Sequence, residues 1–215
     1  MQLMIGNRET REFRGDVTIG CVCETCNGGW MSTLEGSVKH SVGSMMLDVS
    51  ITLSLDEQKT IAVWAMKTAM VLEATISEPK RRLYDREECQ NLRLHATIPD
   101  RSLIWLARIS DGGLFASGTH VWLEDNLTEA HDGQVCTFVV GNFVFQVFTI
   151  HIRPEDNAKH IRIGCIDGPW DETLLGIYPA NQPVTWPPRF SFAASGRRPL
   201  FTTLRDRWKI GKRRT

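Results

Sequence analysis

Cys21-Val22-Cys23-Glu24-Thr25-Cys26-Asn27-Gly28-Gly29-Trp30 holds three of the chain's six cysteines within six positions. Cys23 and Cys26 have the Cys-x-x-Cys spacing, with which a tight turn can present two thiolates to one tetrahedral zinc about 2.3 Å away. Asn27 follows directly, two glycines let the backbone turn, and an apolar pattern of helical period begins at Trp30. The order predicts strand, knuckle, then helix, which is half of a small zinc module. A tetrahedral structural site takes four ligands. Cys21 offers a third sulfur, but Cys-x-Cys places alternate residues on one strand face, an awkward geometry for a single ion.

Working outward, Asp16 to Val22 alternates Val17 and Ile19 with small or polar residues and predicts a short strand entering the cluster. Residues 1–15 are mixed and polar, with Arg8, Arg11 and Arg14 interleaved with Glu9 and Glu12. Downstream, Trp30, Leu34, Val38, Val42 and Met45 recur every three or four residues, so a helix is expected to Leu47, bending or breaking near Gly43. Leu55 to Ile76 is the clearest helix. Ser54 and Glu57 have capping-box spacing, and Ile61 to Leu72 is almost wholly apolar, which predicts packing on most sides. Its Met and Trp residues are expected in the core. A short helix, Asp85 to His95, carries Cys89.

After Ile98-Pro99 the pattern turns to strands: Leu103–Ile109, Leu114–Leu123, Gln134–Val140 and Phe143–Ile152. Asp111-Gly112-Gly113 and Gly141-Asn142 are read as tight turns, and such short connections predict a meander of antiparallel neighbours. Ile161 to Ile166 is expected as an edge strand in an otherwise irregular region. Trp186-Pro187-Pro188 is expected to lay an aromatic ring across the sheet. The expected fold class is therefore α+β: a partial zinc-knuckle or treble-clef element with its helix, a long buried helix, and an antiparallel sheet of four or five strands. The division expected is 1–47 for the knuckle segment, 48–196 for helix and sheet, and 197–215 for a basic tail.

At 42% hydrophobic and 23% charged, the composition is that of an ordinary globular chain, with enough apolar residues for a sizeable core. No apolar run approaches the ~18 residues that span a bilayer, so no membrane partner is expected. Met1-Gln2-Leu3-Met4-Ile5 lacks the basic start of a signal peptide, and a cytoplasmic protein with reduced cysteines is expected. Net zero charge hides an asymmetry. Arg197 to Thr215 carries eight basic residues against Asp206, giving +7 there and −7 elsewhere. Arg205, Arg207, Lys209, Lys212, Arg213 and Arg214 are the candidate nucleic-acid contacts, with a solvated end as the alternative. Nothing matches G-x-x-x-x-G-K or G-x-G-x-x-G, so no nucleotide cofactor is expected. Cys89, Cys136 and Cys165 are expected to be inert core thiols. His95, His120, His131, His151 and His160 lack ligand spacing.

Val22-Cys23-Glu24-Thr25-Cys26-Asn27-Gly28-Gly29-Trp30-Met31-Ser32, followed by Leu34-Glu35, resembles a family of bacterial and phage proteins described as HNH endonuclease-like. Trp64-Ala65-Met66-Lys67-Thr68-Ala69, Phe143-Val144-Phe145-Gln146-Val147 and Trp186-Pro187-Pro188 extend the resemblance from about Val17 to Pro188. In that family a strand histidine activates water, a divalent ion such as magnesium stabilises the charge that develops in phosphodiester hydrolysis, and zinc is structural. The resemblance implies that Cys23 and Cys26 form the second zinc knuckle and that Asn27 is the motif's ion ligand. Glu35 is a further candidate for the ion or for a structural hydrogen bond. DNA is the implied partner.

The first Cys-x-x-Cys and the histidine-bearing strand should precede Cys23, yet this sequence has no histidine before His40 and no cysteine before Cys21. His40 lies thirteen positions beyond Asn27, about 20 Å along a helix rising 1.5 Å per residue. Metal-assisted hydrolysis by this chain alone is therefore not expected. Three explanations stay open: the later portion of a longer nuclease, a remnant kept as a binding domain, or thiols in a fold that needs no metal. The expected function is an HNH-type endonuclease homologue, catalytically incomplete. The alternative is a non-catalytic DNA- or protein-binding protein of phage or mobile-element origin.

Overall fold

The computed structural model describes residues 4–14, 22–76, 82–100, 102–110, 113–124, 130–150 and 172–192. In order they form β1 (Met4–Arg14), α1 (Glu24–Cys26), a π-helical turn (Asn27–Met31), α2 (Ser32–Met46), β2 (Ile51–Leu53), α3 (Leu55–Ile76) and α4 (Arg86–His95). Six strands follow: β3 (Ser102–Arg108), β4 (Leu114–Glu124), β5 (Ala130–Val140), β6 (Phe143–Ile150), β7 (Leu174–Tyr178) and β8 (Val184–Trp186). The class is α+β. The sheet has six antiparallel strands in the order β1-β4-β5-β6-β3-β7, and β2 pairs with β8 in a separate ladder. The four or five strands expected are thus exceeded. The Cys-x-x-Cys also lies on a helical turn, and no knuckle or treble clef is seen among the described residues. Asp16–Cys21, the Ile161–Ile166 strand, Cys165 and the basic tail lie outside the described residues.

The long helix α3 has the expected bounds. The Ser54 N–H donates to Glu57 Oε2 at 2.8 Å and the Glu57 N–H to Ser54 Oγ at 3.3 Å, which closes the capping box and satisfies two free amides. Ala62, Ala65 and Ala69 are wholly buried, as are Ile61 and Met66, on a core shared with Ile104, Leu106, Cys136, Phe143, Phe145 and Val147 of the sheet. The alanines let the helix axis come close to the strands, and the large side chains fill the gaps between them. Trp64 stands edge-on to Phe145 at 5.0 Å between centroids. Trp186 is fully buried and edge-on to Phe143 at 5.8 Å, so its ring does lie on the sheet.

The strand order corrects the expected meander. β4, β5 and β6 do run as successive antiparallel neighbours, but β3 pairs with β6 and β7, not with β4. Residues leaving β3 cross the tip of the β5–β6 hairpin. The Ile109 N–H donates to the Asn142 carbonyl and the Gly141 N–H to the Gly113 carbonyl, both at 2.9 Å. The backbone groups at Ile109 and Gly113 therefore bond the neighbouring hairpin, and β3 lies between β6 and β7. Every residue of β6 is buried, so it is covered on both faces, and Gln146 and Thr149 interrupt its otherwise apolar run. A second apolar cluster (Ile109, Phe115, Val139, Val144, Leu174) lies opposite the α3 side.

β1 was not expected. Its Arg and Glu residues hide it from any search for apolar alternation, yet it pairs with β4 from Met4↔Glu124 to Arg14↔Phe115. Charge on an outer strand discourages further edge pairing, so this composition suits its place at the end of the sheet. β7 also emerges from a region expected to be irregular. α2 passes through Gly43 without a break, and the Leu47 N–H still reaches the Gly43 carbonyl at 3.1 Å. After it, Asp48 takes a positive φ of 62° and accepts from Arg108 Nε at 2.7 Å and from Arg108 Nη2, pinning the helix end to the end of β3. At the hairpin tip Gly141 has φ +58°, and a Cβ there would meet the Met46 carbonyl oxygen at 3.0 Å. No helix among the described residues is long and apolar enough to cross a membrane.

Candidate functional site

Cys23 is the N-cap of the first helical turn, with extended backbone (φ −71°, ψ 153°). Glu24 occupies the first turn, where the helix dipole favours a carboxylate. The Asn27 N–H returns to the Cys23 carbonyl at 3.0 Å, so the four residues Cys23 to Cys26 close one turn. Cys26 therefore comes back beneath Cys23, and its backbone N–H, then its thiol, hydrogen-bond the Cys23 sulfur and hold that thiol below its ordinary pKa. Cys23 is exposed and Cys26 half-buried. Both thiols are free.

Beyond Cys26 the helix widens to a π turn with a break at Gly29 (φ −97°, ψ −112°), a conformation that a residue without a Cβ adopts readily. Gly28 and Gly29 face open space: a Cβ on either meets nothing within 4 Å. Asn27 is exposed in this turn. The Trp30 indole N–H, a few residues on, is buried without an acceptor. The helix then regains ordinary geometry, and Val38, Val42 and Met45 anchor it to the core. The turn thus projects from a fixed helix, with Cys23, Glu24, Thr25, Asn27, Gly28 and Gly29 exposed.

The other candidates are placed elsewhere. Glu35 receives Lys67 Nζ at 2.8 Å, tying α2 to the largely buried lysine of α3. Of the two roles expected of Glu35, this is the structural hydrogen bond. His40 lies on the exposed side of α2, near enough to Glu57 to help hold that carboxyl below its usual range, after the larger effect of the Ser54 backbone and hydroxyl. Cys136 is fully buried, as expected of a core thiol, and burial pushes its pKa up to about 12. Cys89 corrects the same expectation: it is exposed on α4, because the buried position of that short helix is Leu92. Cys21, Arg205, Arg207, Lys209, Lys212, Arg213 and Arg214 lie outside the described residues.

Two thiolates on one helical turn match half the donor set of a structural zinc. Among the described residues no group of three or more His, Cys, Asp or Glu side chains is placed to hold a metal ion. Those residues fit half of a zinc site. They do not fit a magnesium site, which takes an octahedral oxygen set that one exposed amide, Asn27, cannot supply.

Sequence reasoning missed a buried polar row across the sheet. Tyr84 Oη donates to Thr149 Oγ1 at 3.1 Å, Ser102 Oγ and Thr149 Oγ1 are 2.9 Å apart, and Gln134 lies opposite Thr149 in register. Both polar atoms of the Gln134 amide are buried without a partner. A polar residue at a core position of a predicted strand was the available signal. Comparison with protein-family models, with curated proteins and with solved structures finds no match to this chain.

Proposed function

We propose that Cys23 and Cys26 are the helix-borne half of a structural zinc site, and that the chain is an HNH-type endonuclease homologue that does not cleave DNA by itself. One observation carries this reading: two free thiols share the first turn of a helix, one atop the other, with Asn27 directly behind them. A helix start is a favourable place for thiolates, because its unbonded amides and dipole stabilise negative charge. Zinc there would fix the turn to a second segment and do no chemistry. The side chains support a non-cleaving role: Asn27 belongs to no cluster of ionisable ligands among the described residues, and His40 lies in the far part of α2. The family resemblance rests on the sequence motif alone.

The test is plasmid nicking in magnesium or manganese, with zinc content measured in parallel. Bound zinc without nicking is the expected result. Efficient cleavage that Asn27→Ala abolishes would overturn the non-cleaving assignment, and a reduced protein that takes up no zinc would overturn the metal assignment. The +7 charge of residues 197–215 favours DNA as a partner. Salt-sensitive binding that disappears when those residues are removed is the expected outcome, and binding unchanged by the deletion rejects the tail as the contact.

A further inference from the structure

We infer that the Cys23–Cys26 turns of two copies of this chain close on a single zinc ion, giving four thiolates around a two-fold axis. The inference rests on the zinc reading above and adds the source of the missing ligands. A structural zinc takes four donors; Cys23 and Cys26 share this turn, and no group of three or more ligand side chains is found among the described residues. Those two stand on a turn whose neighbours Glu24, Thr25, Asn27, Gly28 and Gly29 are all exposed. With no Cβ at Gly28 or Gly29 and open space around both, a second turn can approach without displacing a side chain. The two free thiols of one copy stand three residues apart on a single helical turn, closed by the Asn27 N–H to the Cys23 carbonyl. Tetrahedral zinc at about 2.3 Å asks for sulfurs about 3.8 Å apart, a separation that side chains three residues apart on one turn can reach by rotation about χ1.

A two-fold axis makes the interface isologous, each copy giving the same residues. One exposed turn per copy buries little apolar area, so the metal must hold the pair together. Association should therefore follow metal content.

The experiment uses the full chain, reduced, with zinc chloride as the added metal. Zinc is measured by elemental mass spectrometry, and mass by native mass spectrometry and light scattering. The expected result is one zinc per two chains and a dimer that EDTA converts to monomer. Cobalt in place of zinc should give the intense visible bands and near-ultraviolet charge transfer of a tetrahedral four-thiolate site. Cys23→Ser should lose both metal and dimer while keeping its circular dichroism, whereas Cys21→Ser and Cys89→Ser should keep both. One zinc in each monomeric chain, loss of metal in Cys21→Ser, or a dimer indifferent to EDTA overturns the shared site and leaves the zinc reading standing. No zinc in the reduced wild-type chain overturns both.

Discussion

The turn at Cys23–Met31 and the core around α3 lie on opposite sides of one physical divide. In the core, Phe143, Phe145, Met66 and Ile104 have essentially no exposed surface, and each is held by neighbours from other elements. In the turn, no residue is fully buried, two successive glycines meet nothing, and the backbone leaves ordinary helical geometry. Burial by many partners makes the first region nearly indifferent to any one polar contact. The second has few partners within the described chain, and its thiols, free and adjacent, are available to something else. The core is held by many elements at once, whereas the turn projects from the end of α2.

That contrast can be broken by measurement. Phe145→Ala should cost about 3–5 kcal/mol in urea unfolding, since it empties a site between α3 and the sheet. Cys26→Ser, compared in the metal-free protein, should stay within about 0.5 kcal/mol of wild type. Equal losses would mean that the turn is as integral as the core.

Alkaline pH should weaken the core. Burial raises the Cys136 thiol from an ordinary value of 9.0 to about 12. Its contribution is therefore complete below pH 9 and is lost as pH rises towards 12, by up to about 4 kcal/mol, because the unfolded chain releases the proton first. Tyr84, also raised by burial, steepens the same limb above its ordinary pKa of 10.0. Cys136→Ala should flatten the stability–pH curve between pH 9 and 12, and an unchanged curve would show that the thiol is not buried as described.

Smaller effects sharpen the boundary between the regions. Glu73 is buried, and its carboxylate accepts the Leu83 N–H at 2.9 Å, so Glu73→Ala should cost about 1–3 kcal/mol by orphaning that amide. Asp85→Ala should cost about 1 kcal/mol, because Asp85 Oδ1 accepts the Glu88 N–H at 2.8 Å in the cap of α4. Amide exchange should confine that second loss to α4. A loss spread over α3 would show the two helices to be one cooperative unit.

The helices were legible because their signals are local. Ser54 and Glu57 announce the start of α3 within four residues, and the apolar run that follows gives its length. β3 to β6 were legible as strands for the same reason. β1 was not, because its charges suit an edge position that only its pairing with β4 creates. The hairpin expected between β3 and β4 fails because a short connection fixes distance along the chain and leaves the choice of partner open. In the candidate site, the Cys-x-x-Cys spacing was readable, but its conformation was not: spacing three apart suits a knuckle and a helix turn equally.

From the amino acids alone come the α+β class, the bounds of α3, the paired thiols and the basic end, each set by neighbours in sequence through hydrogen-bond caps, periodicity and charge. Tertiary structure decided the strand order, the use of Glu35 as a partner for Lys67, and the pairing that makes β1 an edge strand. These depend on which distant surfaces exclude water together, a many-body choice that no local spacing encodes.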